Sequence, residues 1–221
     1  MLRCADMSAH RIFLLSPAST GGKRAALLLN QRAEFPLAVR LRSADGAALG
    51  EVFSFLSGLY FRGKLAYATM FGHPAGGSEG SLVITSSRGL LSPATRIGLD
   101  DLREFAGVPI DADEPRYTAP LIADAARVSE MVGPASHVVL LGSIASDKYV
   151  GVLGEIFGER LHFPGEFVGR GDMSRGGLML RSVREGRELD YIPVAGATRR
   201  GARPARLLPV RARRSRPDPA Q

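Results

Sequence analysis

A chain of 221 residues with 45% apolar side chains is long enough to close one sizeable core. Its 23% charged residues and near-zero mean hydropathy are ordinary for a soluble globular protein, and no apolar run approaches the roughly 20 residues that span a bilayer. The single cysteine, Cys4, excludes an internal disulfide, and no Cys/His cluster has zinc-ligand spacing.

The N-terminus does not follow a signal-peptide pattern, since Cys4 and Asp6 follow Arg3 and the apolar run Ile12 to Leu15 is too short. The expectation is a cytoplasmic protein without membrane contact, metal or cofactor. The net charge of +7 invites a nucleic-acid reading, but its distribution matters. Residues 199–221 hold eight arginines and one aspartate, so the tail carries the whole surplus and the other 198 residues are balanced.

Residues 1–10 have no periodicity and read as disordered. Arg11 to Leu15 reads as a buried strand, followed by Ser-Pro-Ala-Ser-Thr-Gly-Gly and a helix from about Lys23. A strand, a small-residue loop and a helix start expose backbone N–H groups suited to an anion, with Ser16, Ser19 and Lys23 as the side chains to hold it. A Walker A loop would need glycine where Pro17 stands and Ser or Thr where Arg24 stands.

Leu37 to Leu41 reads as a strand, and Ser43 to Gly46 as a turn. Glu51 to Phe71 is the strongest helical segment, with Phe55, Leu59, Arg62, Ala66 and Met70 near one face. Gly58 and Gly63 divide it into two helices or kink it. Tyr60 and Tyr67 face either a ligand or the core. Ser81 to Thr85 is a further buried strand that ends in Ser86-Ser-Arg88-Gly, placing a hydroxyl and a guanidinium at its carboxyl end.

Leu99 to Phe105 reads as a short helix. A crossover helix begins at Pro120 with Leu121, Ala125, Val128 and Met131 on its apolar face.

The stretch around which the rest is organised starts at His137. His137 to Leu141 is an apolar strand ended by Gly142-Ser143. A helix follows with Tyr149, Val152, Leu153 and Ile156 on one side, then a strand from Arg160 to Phe163 and a loop from Gly169 to Gly177. That order is how an α/β protein forms a crevice at the carboxyl ends of its strands. Leu178 to Val183 and Glu188 to Pro193 alternate as strands, with Arg184 to Arg187 as the hairpin turn between them.

The expected fold is therefore α/β: a three-layer sandwich around a mostly parallel sheet of about four to six strands, with a C-terminal antiparallel hairpin at one edge. It occupies residues 11–194 as a single domain. From residue 195 an Arg/Pro-rich tail reads as disordered.

Three segments carry a resemblance to a known group. They are Ser57-Gly-Leu-Tyr-Phe-Arg-Gly-Lys-Leu-Ala-Tyr-Ala68 in the long helical segment, Thr85-Ser-Ser-Arg-Gly-Leu-Leu-Ser-Pro93, and Leu141-Gly-Ser-Ile-Ala-Ser-Asp-Lys-Tyr149. Together, over roughly residues 11–157, they resemble small bacterial and phage α/β domains related to the middle domain of archaeosine synthase, near the uracil-DNA-glycosylase fold. The resemblance implies an α/β fold and a link to nucleobases. The chain departs from that pattern in its first loop, which lacks a Cys-rich or Lys-rich signature, and in the added segment Gly169 to Gly177. No glycosylase water-activating residue follows the first strand, and His137 and His162 read as structural.

The resulting functional expectation is a nucleobase- or nucleotide-binding domain, acting in nucleic-acid base modification or repair. Asp172 would activate water or hold a ribose, and Lys148 is the second candidate for chemistry. Arg170 and Arg175 would hold phosphate or carboxylate, Ser143 and Ser174 would donate hydrogen bonds, and Gly142 is a further ligand-binding position. Ser16, Ser86 and Arg88 would complete the pocket. The alternatives are a non-enzymatic module that contacts nucleic acid through residues 199–216, and a structural subunit.

Overall fold

The computed structural model describes residues 10–74, 79–205 and 207. At its centre are four parallel strands, β1 (Arg11–Leu15), β3 (Ser81–Ile84), β6 (His137–Leu141) and β7 (Leu161–Pro164). Antiparallel β4 (Leu90–Leu91) and β8 (Tyr191–Pro193) close the two edges, in the order β4-β3-β1-β6-β7-β8. Phe13, Leu14, Leu15, Val83, Ile84 and Val138 to Leu141 are wholly buried, as expected for strands covered on both faces. A separate two-stranded ribbon pairs β2 (Ala47–Ala48) with β5 (Arg96–Ile97).

Register aligns the strand tips. Leu15 pairs with Val83 on one side and Leu141 on the other, so the loops beginning at Ser16, Thr85 and Gly142 leave the sheet side by side. The chain passes from β1 to β3 in one direction, and from β6 to β7 in the other. With right-handed crossovers these two connections cover opposite faces, which opens a crevice beside the tip of β1.

On one face lie α3 (Leu49–Ser57), α4 (Leu59–Phe71) and α8 (Asp172–Glu185). On the other, α6 (Pro115–Val132) packs on α7 (Asp147–Phe157). Shorter helices α1 (Lys23–Leu29), α2 (Pro36–Arg42) and α5 (Leu99–Gly107) complete the layers. Gly58 divides α3 from α4 with φ of 61°, a left-handed conformation in which a side chain is strained.

The three-layer α/β sandwich agrees with the sequence reading, while several segments do not. Leu37 to Leu41, expected as a strand, is helical: Pro36 sits at the first helical position and Leu37, Ala38 and Leu41 share the buried face. Leu178 to Val183 belongs to α8, so the C-terminal antiparallel pair is β7 with β8, joined through a helix instead of a tight turn. The crossover helix begins at Pro115, capped by the Glu114 side chain, and Pro120 lies inside it. The buried face of α4 is Tyr60, Phe61, Lys64, Tyr67, Ala68 and Phe71, one step round from the face inferred above, with Arg62 and Met70 outward. The tail's first part, 195–205, has no helix or strand, yet it lies on the body: Arg199 pairs with Asp147, and Arg170 donates to the Ala205 carbonyl. Its remaining basic positions up to 216 fall outside the described residues.

Candidate functional site

The residues that follow the aligned strand tips enclose a cleft of about 470 Å3. The β1–α1 loop supplies Ser16 to Gly21. Ser86 comes from beyond β3, and Ser143, Lys148 and Tyr149 from the β6–α7 junction. Tyr60 enters from α4, Phe53 from α3, Phe105 from α5 and Asp172 from the start of α8. The size is that of a small-ligand site, and aromatic faces with a few convergent polar groups are its usual lining.

Close backbone approach makes this convergence possible in two places. A Cβ on Gly142 would stand 3.0 Å from the Ser16 Cβ, so glycine lets the ends of β1 and β6 meet at the cleft floor. A Cβ on Gly176 would stand 2.7 Å from the Leu59 carbonyl oxygen, so glycine lets α8 press directly onto α4. The second contact sets Asp172, one turn earlier on α8, at the rim above Tyr60.

The hydroxyls have different duties. Ser86 donates to the Phe105 carbonyl at 2.8 Å and ties the β3 tip to α5. Ser143 accepts from the Ala145 amide at 3.3 Å and shapes the turn into α7. Ser16 is buried, with Oγ donating to the Leu141 carbonyl at 3.2 Å. The Tyr60 hydroxyl is buried beside Ser16 and Arg175 and meets no partner in hydrogen-bond geometry among the described residues. Burial raises its pKa more than the nearby Arg175 and Ser16 lower it, so the phenol keeps its proton.

Of the two catalytic candidates, Lys148 lies with Nζ 5.1 Å from the Tyr149 ring centre, and its carbonyl accepts from the Tyr117 hydroxyl at 2.7 Å, fixing that turn. Asp172 is 69% exposed and 3.7 Å from Arg175 Nη1. Arg175 itself does not open into the cleft. It is buried, donates twice to the Phe167 carbonyl and lies over the Phe167 ring, so its role is to clamp the segment before α8.

Ser16, Ser19, Ser86, Ser143, Lys148 and Asp172 thus share one cavity, while Gly142 packs against Ser16 without lining it. Besides Arg175, four expected ligand contacts lie elsewhere. Lys23 is exposed on α1 and does not line the cleft. Arg88 is engaged by Glu104 and Asp101 on α5. Arg170 donates to the Glu166 carbonyl at 2.9 Å and to Ser174 at 3.3 Å, so this pair fastens the chain ahead of α8.

The residue missed by sequence reasoning is Lys64. It is wholly buried; Nζ donates to the Ser16 carbonyl and sits 2.9 Å from Ser16 Oγ, 4.3 Å from the Tyr60 ring centre. Desolvation, the dominant influence, pulls its pKa from 10.5 down to about 7. Arg175 lowers it further and Asp172 opposes. The available signal was a lysine at the fourth position after Tyr60 and the third before Tyr67, on the apolar stripe of a helix.

No group of His, Cys, Asp or Glu among the described residues is arranged to hold a metal ion, and no helix among them is long and apolar enough to cross a membrane. The chain matches no family model, no curated protein and no solved structure.

Proposed function

We propose that the cleft binds a small planar polar ligand of the nucleobase or nucleotide class. The observation carrying this reading is the pairing of aromatic walls with unsatisfied polar capacity. Tyr60, Tyr149, Phe53 and Phe105 line a volume that suits a ring, while the buried Tyr60 hydroxyl lacks a partner. A buried unpaired hydroxyl costs about 1–3 kcal/mol, and a ligand acceptor would recover that cost. Lys148 and Asp172 at the rim offer one charge of each sign, suited to a phosphate or to ribose hydroxyls. The resemblance of the 57–68, 85–93 and 141–149 segments to nucleobase-linked domains points the same way. The reading of this domain as one that modifies or repairs bases rests on that resemblance and goes with the proposal.

Thermal unfolding in the presence of nucleosides, nucleotides and 7-deazapurines tests the reading, because a ligand selective for the native state raises apparent stability by mass action. A saturable rise with at least one of these, lost in Tyr149→Ala, is the expected result. No shift with any of them at millimolar concentration would remove the proposal.

A further inference from the structure

Lys64 poses the sharpest question in the molecule. Burying an ammonium costs several kcal/mol unless a counter-charge or full hydrogen bonding offsets it, and no carboxylate pairs with Lys64 among the described residues. What it touches is Ser16, through both the carbonyl and Oγ at 2.9 Å. Ser16 in turn lines the cleft, whereas Lys64 is fully enclosed behind it, against Ser16 and the Tyr60 ring. A serine between an open cavity and a buried amine has the geometry of a nucleophile and its base.

We propose that Ser16 is a nucleophile toward acyl carbon, ester or activated amide, in molecules held by the cleft, with Lys64 as its general base. This rests on the cleft being a ligand site and does not require the ligand to be a nucleobase. With Lys64 charged, Nζ donates to Ser16 Oγ and the Oγ proton goes to the Leu141 carbonyl. Once Lys64 is neutral, one N–H still serves the Ser16 carbonyl and the lone pair accepts the Oγ–H.

As the Oγ–carbon bond forms, that proton passes to Nζ and the carbonyl π pair moves onto oxygen. Collapse expels the leaving group, which takes the proton from Lys64. Water, activated by the same amine, then hydrolyses the acyl-serine and restores both side chains. The Tyr60 hydroxyl, protonated, beside Ser16 and without a well-formed hydrogen bond among the described residues, is the donor for the developing oxyanion.

Groups of both signs surround this pair. Asp172 and Arg175 face it from α8 and Tyr60 from its own helix, with Tyr149 of α7 near Tyr60 and Asp172, where burial keeps the phenol protonated. On α3, Glu51 is taken by Arg40, and on β1, Arg11 by Glu188.

The test is covalent labelling of the full chain by a fluorophosphonate, in which an Oγ–phosphorus bond forms as fluoride leaves, read by peptide mass. Expected are a single phosphonylated site at Ser16, a rate rising through pH about 7, and a loss of about 100-fold or more in Lys64→Arg, which keeps the charge but cannot give it up. Loss of label in Ser16→Ala confirms the site. An unmodified Ser16 at alkaline pH, or a folded Lys64→Arg chain labelled at the wild-type rate, overturns the proposal.

Should Lys64→Arg not fold, the wild-type pH profile decides, because a flat profile across neutrality leaves no role for a base. Nucleosides added as protectants separate the two readings. Labelling that they do not slow, with no thermal shift, counts against the nucleobase proposal alone. A thermal shift with an inert Ser16 counts against the dyad alone.

Discussion

Gly63 and Gly176 touch backbone to backbone where α4 crosses α8: a Cβ on Gly63 would stand 2.8 Å from the Gly176 carbonyl oxygen. This single crossing positions the chemistry of the cleft, because Lys64 and Tyr60 flank Gly63 while Asp172 and Arg175 precede Gly176. Neither carbonyl can swing aside, since both belong to helices.

Alanine at either glycine is therefore expected to push the helices apart. The cost should be about 1–3 kcal/mol, as for other overpacked contacts, set against the fraction of a kcal/mol that alanine contributes as a better helix former. Urea unfolding measures the net loss. A gain in stability would show that the crossing is looser than described.

Lys64 should make stability depend on pH in a defined direction. Its folded pKa of about 7 lies below the ordinary 10.5, so between these values the unfolded chain binds the extra proton. Stability then rises with pH in that window, by up to about 1.4 kcal/mol per pH unit from this group. Below pH about 7 the full penalty of burying the charge remains. Lys64→Met should flatten this rise, and parallel slopes for the two proteins in urea unfolding at several pH values would contradict the assignment.

Asp172 and Arg88 offer a contrast between a cleft residue and a surface one. Asp172→Asn removes an exposed carboxylate, so stability should change by no more than about 0.5 kcal/mol. Since Asp172 raises the Lys64 pKa, its loss should shift the Ser16 labelling midpoint to lower pH. Arg88→Ala breaks a half-exposed cluster with Glu104 and Asp101, worth about 0–1 kcal/mol, and should leave ligand binding and labelling unchanged. A binding defect in Arg88→Ala with normal stability would return this residue to the cleft.

These contrasts also show which parts of the site were legible in the chain. Ser16, Ser86 and Ser143 were readable because each follows an apolar run that can only be a buried strand, and parallel strands put their ends together. Arg88, Arg170 and Arg175 were readable as cations but not as ligands, since the partners that occupy them lie on other segments: Glu104 on α5, and the Glu166 and Phe167 carbonyls just before α8. The 172–185 helix was missed because its glycines and serine weaken helical propensity. Its packing through Gly176 onto α4 is a tertiary fact. The same one-step error in the face of α4 that placed Met70 inside hid Lys64.

The last expectation isolates the Tyr60 hydroxyl. Tyr60→Phe keeps the ring beneath the Lys64 ammonium, where the centre-to-Nζ distance is 4.3 Å, and removes only an oxygen that makes no well-formed hydrogen bond among the described residues. Deleting a buried unsatisfied group relieves its desolvation cost, so the variant should be as stable as the parent or more so, by about 1 kcal/mol. The same oxygen is the free donor of the cleft. Its loss should weaken ligand binding and slow phosphonylation of Ser16, while the pH dependence set by Lys64 persists. Stability and function would thus move in opposite directions from one atom. If Tyr60→Phe is destabilised instead, the hydroxyl holds the interior together, and its assignment as a ligand donor must be abandoned.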